Sequence, residues 1–127
     1  MEKILLVGDN FSLLATRVAI LAKMSAGAVG CNPAELATHL GNEKFDVVIL
    51  CHTLHESTRR SVIANARRRW PEVRILQILP RMDKTSPTSF LVDEVASTEP
   101  DDLIRRTAKL LGRPPRSQPP SQLSNVA

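Results

Sequence analysis

Cys51, His52, His55 and Asp9 are the side chains in this sequence whose types and spacing could do chemistry. A thiol becomes a nucleophile as the thiolate, and a neighbouring histidine can lower its pKa. Cys51 and His52 follow the apolar run Val47–Leu50, and successive residues of an extended strand point to opposite faces. His52 therefore cannot aim at Cys51 unless the chain has already turned, and His55 is the better-placed base. The competing expectation is a buried structural cysteine, since free cysteine is among the most buried residue types. Cys51, His55 and Asp9 would suit zinc by ligand type, but the spacing matches no established pattern and a fourth ligand is not evident. With Cys31 the only other cysteine and no CxxC spacing, thiols are expected rather than a disulfide framework. The "VGDN" stretch at Val7–Asn10 lacks the further glycines of a nucleotide-binding loop.

These residues must be positioned by strands and helices, and the two alternate along the chain. Ile4–Val7 is a β-type run ending at Gly8-Asp9-Asn10, which suits a turn and a helix cap. Leu14, Val18 and Leu21 recur at helical spacing between Phe11 and Met24. Ala28–Cys31 reads as a weak second strand; Asn32-Pro33 opens a short helix over Pro33–Leu40, with Gly41 as its stop. Val47–Leu50 is continuously apolar, as in a parallel strand covered on both faces. Ser57 is expected to cap a helix running to Arg69, with Val62, Ile63 and Ala66 inward and Arg59, Arg60, Arg67 and Arg68 outward, ended by Trp70-Pro71. Ile75–Leu79 is a fourth strand. Any helix in Arg81–Ser89 is short or irregular, and a fifth strand lies within Phe90–Ala96 in one of two registers. Glu99-Pro100-Asp101-Asp102 opens a last helix with acids at its positive end, and Gly112 closes it.

Five strands alternating with helices predict an α/β fold, an open doubly wound parallel sheet with helices on both faces. Its functional crevice should lie at the carboxyl ends of the strands. Here that end carries Gly8–Asn10, Cys51–His55 and Leu79-Pro80. Residues 1–112 form the expected domain, and the Pro/Ser-rich residues 113–127 are expected to be a disordered tail.

The bulk composition narrows the function classes. A chain of 127 residues with 43% hydrophobic content supports one domain with a real core. No apolar run reaches the length of a membrane span or a secretory signal, so a soluble cytoplasmic protein is expected, with no membrane partner. Its formal charge of +4 is concentrated in Glu56–Arg74, which holds six Arg against two Glu. A nucleic-acid footprint over Arg59, Arg60, Arg67, Arg68 and Arg69 is one reading of that patch and a solvated helix face is the other. The four aromatic residues are not interleaved with the arginines as stacking platforms would be, so nucleic acid is not the expected partner.

In their order and spacing, "ILLVGDN", "FDVVILCHTL", "RRRWPEVRILQIL" and "EPDDLIRRTAKLL" resemble the CheY-like receiver domains of response regulators, across Met1–Gly112. The resemblance implies the flavodoxin-like strand order 2-1-3-4-5. It also implies a crevice in which an acidic pair after the first strand and an aspartate ending the third hold Mg²⁺ and receive a phosphoryl group from a kinase histidine. In this chain Gly8 stands for the first acid, Asp9 keeps the second, and Cys51 replaces the acceptor. Leu79 falls where a hydroxyl would read the phosphate, His55 at the acceptor-loop proline, and the phosphate-contacting lysine would be Ala96 or, in the other register, Asp93. In the implied order the first strand separates Cys31 from Cys51 by two spacings, about 9.5 Å, whereas a disulfide needs Cα atoms within about 7 Å.

So altered, the site reads as that of a pseudo-receiver, with the vestigial pocket Gly8, Asp9, Asn10, His52, His55 and Leu79 around the degenerate acceptor Cys51. Asp9 is expected to order the crevice through hydrogen bonds. Magnesium wants several hard oxygen ligands, so its binding is expected to be weak or absent, and no other cofactor or metal is implied. The expected function is stand-alone, non-enzymatic phosphorelay signalling through a protein partner or a second copy, with Arg105, Arg106 and Lys109 of the last helix on the candidate interface. One domain occupies the sequence, so partners are expected on separate chains. A reactive Cys51 with redox or thiol activity is the alternative.

Overall fold

Two strands, β1 (Lys3–Val7) and β3 (Val47–Leu50), run side by side through the centre of the molecule. Every residue of Ile4–Val7 and Val47–Leu50 is fully buried. A strand apolar on both faces needs cover on both, which a parallel sheet flanked by crossover helices supplies. The computed structural model describes residues 2–24, 26–80 and 91–112. The sheet adds β2 (Gly27–Cys31), β4 (Arg74–Ile78) and β5 (Glu94–Ala96) in the order β2-β1-β3-β4-β5, with every pairing parallel.

Among the described residues, α1 (Phe11–Ala22), α2 (Leu36–Asn42), α3 (Glu56–Arg69) and α4 (Pro100–Leu110) cover it, with a 3₁₀ turn at Pro33–Glu35 leading into α2. Ile4, Leu6, Ile49 and Leu76 pack on one face with Leu14 and Leu21 of α1 and Leu103 and Ala108 of α4. Leu5, Val48, Leu50 and Ile75 pack on the other with Leu36 of α2 and Val62, Ile63 and Ala66 of α3. The alternate residues of each strand thus feed two separate cores, and each buried Leu, Ile or Val contributes about 1.5–3 kcal/mol. The expected doubly wound order is observed.

Local signals set most of the boundaries. Asn10 caps α1 by accepting the Leu13 amide at 3.0 Å, and Asn32 and Glu35 form a reciprocal capping box. Two expectations need correction. Gly41 does not stop the second helix: it lies inside α2, exposed and with no packing demand, and the chain leaves the helix at the extended Glu43. Ser57 is not the cap of α3: the helix begins at Glu56, and the residue at the cap position is His55, which makes no side-chain capping bond. At the other end Trp70 closes α3 by donating Nε1–H to the Glu43 carbonyl at 2.9 Å while its ring meets Phe45 edge-on.

The register of β5 is settled by Asp93. Its carboxylate accepts the Ile75 amide at 2.7 Å and pairs with Arg67 at 3.2 Å, which holds it before the amino end of β5. Ala96, opposite Ile78, is therefore the β5 residue at the crevice end. The expected irregular helix of 81–89 and the expected disordered tail of 113–127 lie outside the described residues. No helix of the described residues is long and apolar enough to cross a membrane.

Thr107 of α4 is fully buried and its hydroxyl has no hydrogen-bond partner. A buried hydroxyl without a partner carries a desolvation cost and returns nothing for it. Thr107→Val keeps the shape and removes the hydroxyl, so thermal unfolding should move up by a few degrees, corresponding to about 1 kcal/mol.

Candidate functional site

The carboxyl ends of β1 and β3 approach one another more closely than side chains at both positions would permit. Cys51 continues β3, its amide donating to the Val7 carbonyl at 3.0 Å, and Gly8 continues β1 with its amide on the Cys31 carbonyl at the same distance. A Cβ added at Gly8 would lie 3.0 Å from both Cβ and Sγ of Cys51 and 3.3 Å from Leu14 Cδ2. Gly8 is thus the space that the buried Cys51 side chain fills, and the two residue types are coupled by packing.

The centre of the site is a residue that the sequence reading did not single out. Arg17 lies on the inner face of α1, one turn after Leu14 and one before Leu21, and is only 5% exposed. Its guanidinium Nη2 lies 3.2 Å from Nδ1 of His52. Its charge also acts on the Cys51 thiol. Arginine can only donate, so Nδ1 accepts and the ring proton of His52 sits on Nε2. The observable signal was that Arg17 is the one charged residue in α1 and occurs at the helical spacing of Leu14 and Leu21. A chain turn after Cys51, with the Leu54 amide on the Cys51 carbonyl at 3.3 Å, brings His52 back over the crevice.

Charge and burial set the protonation states. Burial pushes the Cys51 thiol up, more than Arg17 brings it down. Cys51 is 1% exposed, so access and ionisation both oppose thiolate chemistry. Burial likewise pushes Cys31 up to about 11. Both cysteines are free, and β1 lies between their strands. His52 is held below its ordinary value by burial and then by the charges of Arg17 and Arg59, which keeps it neutral as the Arg17 acceptor requires.

The remaining expected site residues separate. Asn10 is committed to capping α1. Asp9 is exposed, and it acts on Cys51 and His52 through its charge; the crevice-ordering hydrogen bonds expected of it are not found among the described residues. His55 is exposed at the cap position of α3, where its side chain makes no capping bond. Leu79 is buried, its amide on the Ala96 carbonyl at 2.8 Å. Among the described residues, no three His, Cys, Asp or Glu side chains are grouped to hold a metal ion.

The five-arginine patch of α3 breaks up in the fold. Arg59 pairs with Glu56 at 3.4 Å with its side chain 12% exposed, so it does not face outward as expected. Arg67 reaches the Leu91 carbonyl and Asp93, and Arg69 donates to the Leu40 carbonyl at 2.6 Å. Arg60 and Arg68 alone of the five are exposed and outside these contacts. On the opposite side, Arg105 and Arg106 pair with Asp102, while Arg106 and Lys109 pair with Glu94 at 3.0 and 3.1 Å. The candidate interface residues therefore form one intramolecular network tying α4 to β5.

No family model matches the chain, and no curated protein matches it. Solved structures do. Chemotaxis protein CheY4 of Vibrio cholerae superposes with a TM-score of 0.75 at 15% identity, covering 87% of this chain and 98% of that one. A chain of the crystal structure of histidine kinase ThkA in complex with response regulator protein TrrA gives 0.73 at 20% identity, covering 87% and 99%. A putative pilus assembly protein of Burkholderia thailandensis gives 0.72 at 16% identity, covering 89% and 100%. The strand order and these superpositions define the class by architecture: this chain has the CheY-like receiver fold.

Two outcomes follow from the geometry. Gly8→Ala should cost about 1–3 kcal/mol through overpacking against Cys51, read as a lowered urea midpoint with an unchanged slope. The second concerns acid. Burial pushes Glu94 up, but Lys109, the Val95 amide and Arg106 outweigh it and leave the carboxyl below its ordinary 4.5. Asp102, raised by burial, is brought below 3.8 by the Ser97 amide and Arg106. Folded values below unfolded ones mean stability is full above the unfolded pKa and is lost as pH falls through the folded one. The depressed His52 acts in the same direction from 6.5 downward. The urea midpoint should therefore fall progressively below pH 6.5 and more steeply below 4.5. Glu94→Gln should flatten the steeper limb alone.

Proposed function

We propose that this chain is a pseudo-receiver: a receiver-fold signalling module that acts by contact with a protein partner, without aspartyl phosphorylation and without catalysis of its own. One observation carries the proposal. The space at the ends of β1 and β3 contains a buried guanidinium, hydrogen-bonded to His52 and acting on the Cys51 thiol through its charge. A divalent cation entering there would meet a fixed like charge, one exposed carboxylate at Asp9 and a thiol in place of a hard oxygen donor. The residues present do not fit Mg²⁺, and Leu79 and Ala96 offer a phosphoryl group neither a hydroxyl nor a cation.

Fold likeness supports the signalling context, since a chain of similar architecture was crystallised in a complex of a histidine kinase with a response regulator. The surface assigned to the partner is the β5–α4 face, where Glu94, Asp102, Arg105, Arg106 and Lys109 hold alternating charges in a fixed arrangement. Fixed charge pairs favour specificity and register over raw affinity, as a docking face requires. A second copy of the chain, giving a homodimer in the cytoplasm, is one partner this face would accept.

The protein incubated with acetyl phosphate and Mg²⁺, and separately with a thiol-alkylating probe, should keep its intact mass while folded. Labelling of Cys31 and Cys51 should appear on adding urea. A stable phosphoryl adduct on the folded chain would overturn the pseudo-receiver reading, and rapid alkylation of folded Cys51 would restore the thiol alternative.

A further inference from the structure

The two edges of the sheet are built differently. At one edge β5 is three residues long and opens on Glu94, whose carboxylate is tied to Arg106 and Lys109. At the other, β2 runs five residues, Gly27–Cys31, without a charge or a proline and without a break in its register on β1. Proteins commonly guard an open strand edge with charge, proline or a bulge, because its unpaired amides and carbonyls are a template for another strand. The β2 edge carries no such guard.

The pairing with β1 fixes which groups stay open. The Gly27 amide donates to the Glu2 carbonyl at 2.9 Å, and the Cys31 carbonyl accepts the Gly8 amide at 3.0 Å. Gly27, Val29 and Cys31 therefore turn their backbone groups to β1, and the alternation of a strand turns those of Ala28 and Gly30 outward. Among the described residues, no backbone group pairs with these two from the outer side.

The helices beside this edge are equally bare. Between Phe11 and Gly41 the only Asp, Glu, Lys or Arg residues are Arg17, Lys23 and Glu35, although these types make up 24% of the chain. Arg17 is buried and Glu35 is held in its capping box, which leaves Lys23. The exposed face of α1 consists of Ser12, Ala15, Thr16, Ala19 and Ala22, with Phe11 84% exposed at its start. On the other face of the sheet α2 exposes Ala37 and Gly41. A groove of about 360 Å³ between α1 and β2 has Phe11, Ala15, Val18 and Gly30 on its walls. A water-facing helix ordinarily carries charge, whereas depletion of charge marks the core of an interface.

We propose that β2 pairs antiparallel with β2 of a second copy of the chain, about a two-fold axis at Val29, joining the two sheets edge to edge. In this register Ala28 lies opposite Gly30 of the second copy, and each such pair exchanges two N–H···O bonds. Within Gly27–Cys31 no other two-fold register bonds both outward residues. The occupant is a second copy because the edge is its own complement: the same two residues supply every donor and acceptor on both sides. Val29, half-buried on the α2 side, meets its own copy across the axis, and the small residues of α1 and α2 let the second copy approach. This edge lies opposite the β5–α4 face and leaves that face to a different partner, so the pseudo-receiver reading and the dimer fail independently.

Sedimentation equilibrium of the full chain should give a dimer and no larger species. Ala28→Pro removes an outward amide and follows a glycine that tolerates the ring, so it should raise the dimer dissociation constant about tenfold or more. Circular dichroism must show that this variant folds; if it does not, Val29→Cys decides alone. Residues facing each other at the axis form a non-hydrogen-bonded pair with Cα atoms about 4.5 Å apart, within disulfide reach, so mild oxidation should link two Val29→Cys chains. The parent should stay unlinked, because Cys31 and Cys51 are buried. A monomer, an open-ended series of oligomers, a dimer that folded Ala28→Pro leaves intact, or failure of Val29→Cys to link would each overturn the proposal. So would a dimer that Arg105→Glu dissociates in place of Ala28→Pro, since self-association would then belong to the β5–α4 face.

Discussion

The double-sided burial of β1 and β3 is the constraint on which the rest of the structure depends. Neither strand has a face that can meet water, so each needs a helix layer on both sides, and the alternation of strand and helix supplies them. That arrangement brings the ends of the two strands together at one edge of the molecule. At that edge the inward Cys51 side chain takes up the space that a side chain at Gly8 would need. The crevice is thus a product of the core, and its chemistry is whatever the residues leaving the central strands provide.

What they provide here is the reverse of a cation pocket. Thiol, neutral imidazole and guanidinium occupy the crevice, and each group makes the others tenable. Burying Arg17 costs free energy that an acceptor offsets in part; His52 supplies one to Nη2 because it is neutral, and it is kept neutral partly by Arg17 itself. Cys51 can be buried because a thiol costs little when un-ionised, and burial holds it un-ionised. Removing one partner of such a set leaves the others stranded, and for that reason Arg17 belongs to the stability of the fold as well as to the site.

Much of this was legible before the coordinates. The apolar runs of β1 and β3, the Asn10 and Asn32 caps and the proline-led start of α4 are local signals, and they were placed within a residue or two. The misplaced ends have local causes as well. Gly41 has the residue type of a stop, but an exposed glycine can continue a helix at modest cost; Ser57 has the residue type of a cap, but the chain turns earlier, at His55. Helical spacing, with Val62, Ile63 and Ala66 inward, turns the arginines of α3 outward, but Arg59 and Arg67 find carboxylates and carbonyls within reach.

By itself the sequence determined the doubly wound parallel sheet, the location of the crevice and the residue types that line it, because periodicity, caps and the identity of a residue at a strand end are properties of short stretches. Only the tertiary structure decided that Ala96, and not Asp93, ends β5 at the crevice, since that register depends on Asp93 finding the Ile75 amide and Arg67. It alone also decided that Arg17 fills the site. An arginine at an inward helical position is by its spacing an anomaly. Its partner His52 lies more than thirty positions away, and only the packing of α1 against the sheet brings it within hydrogen-bonding distance.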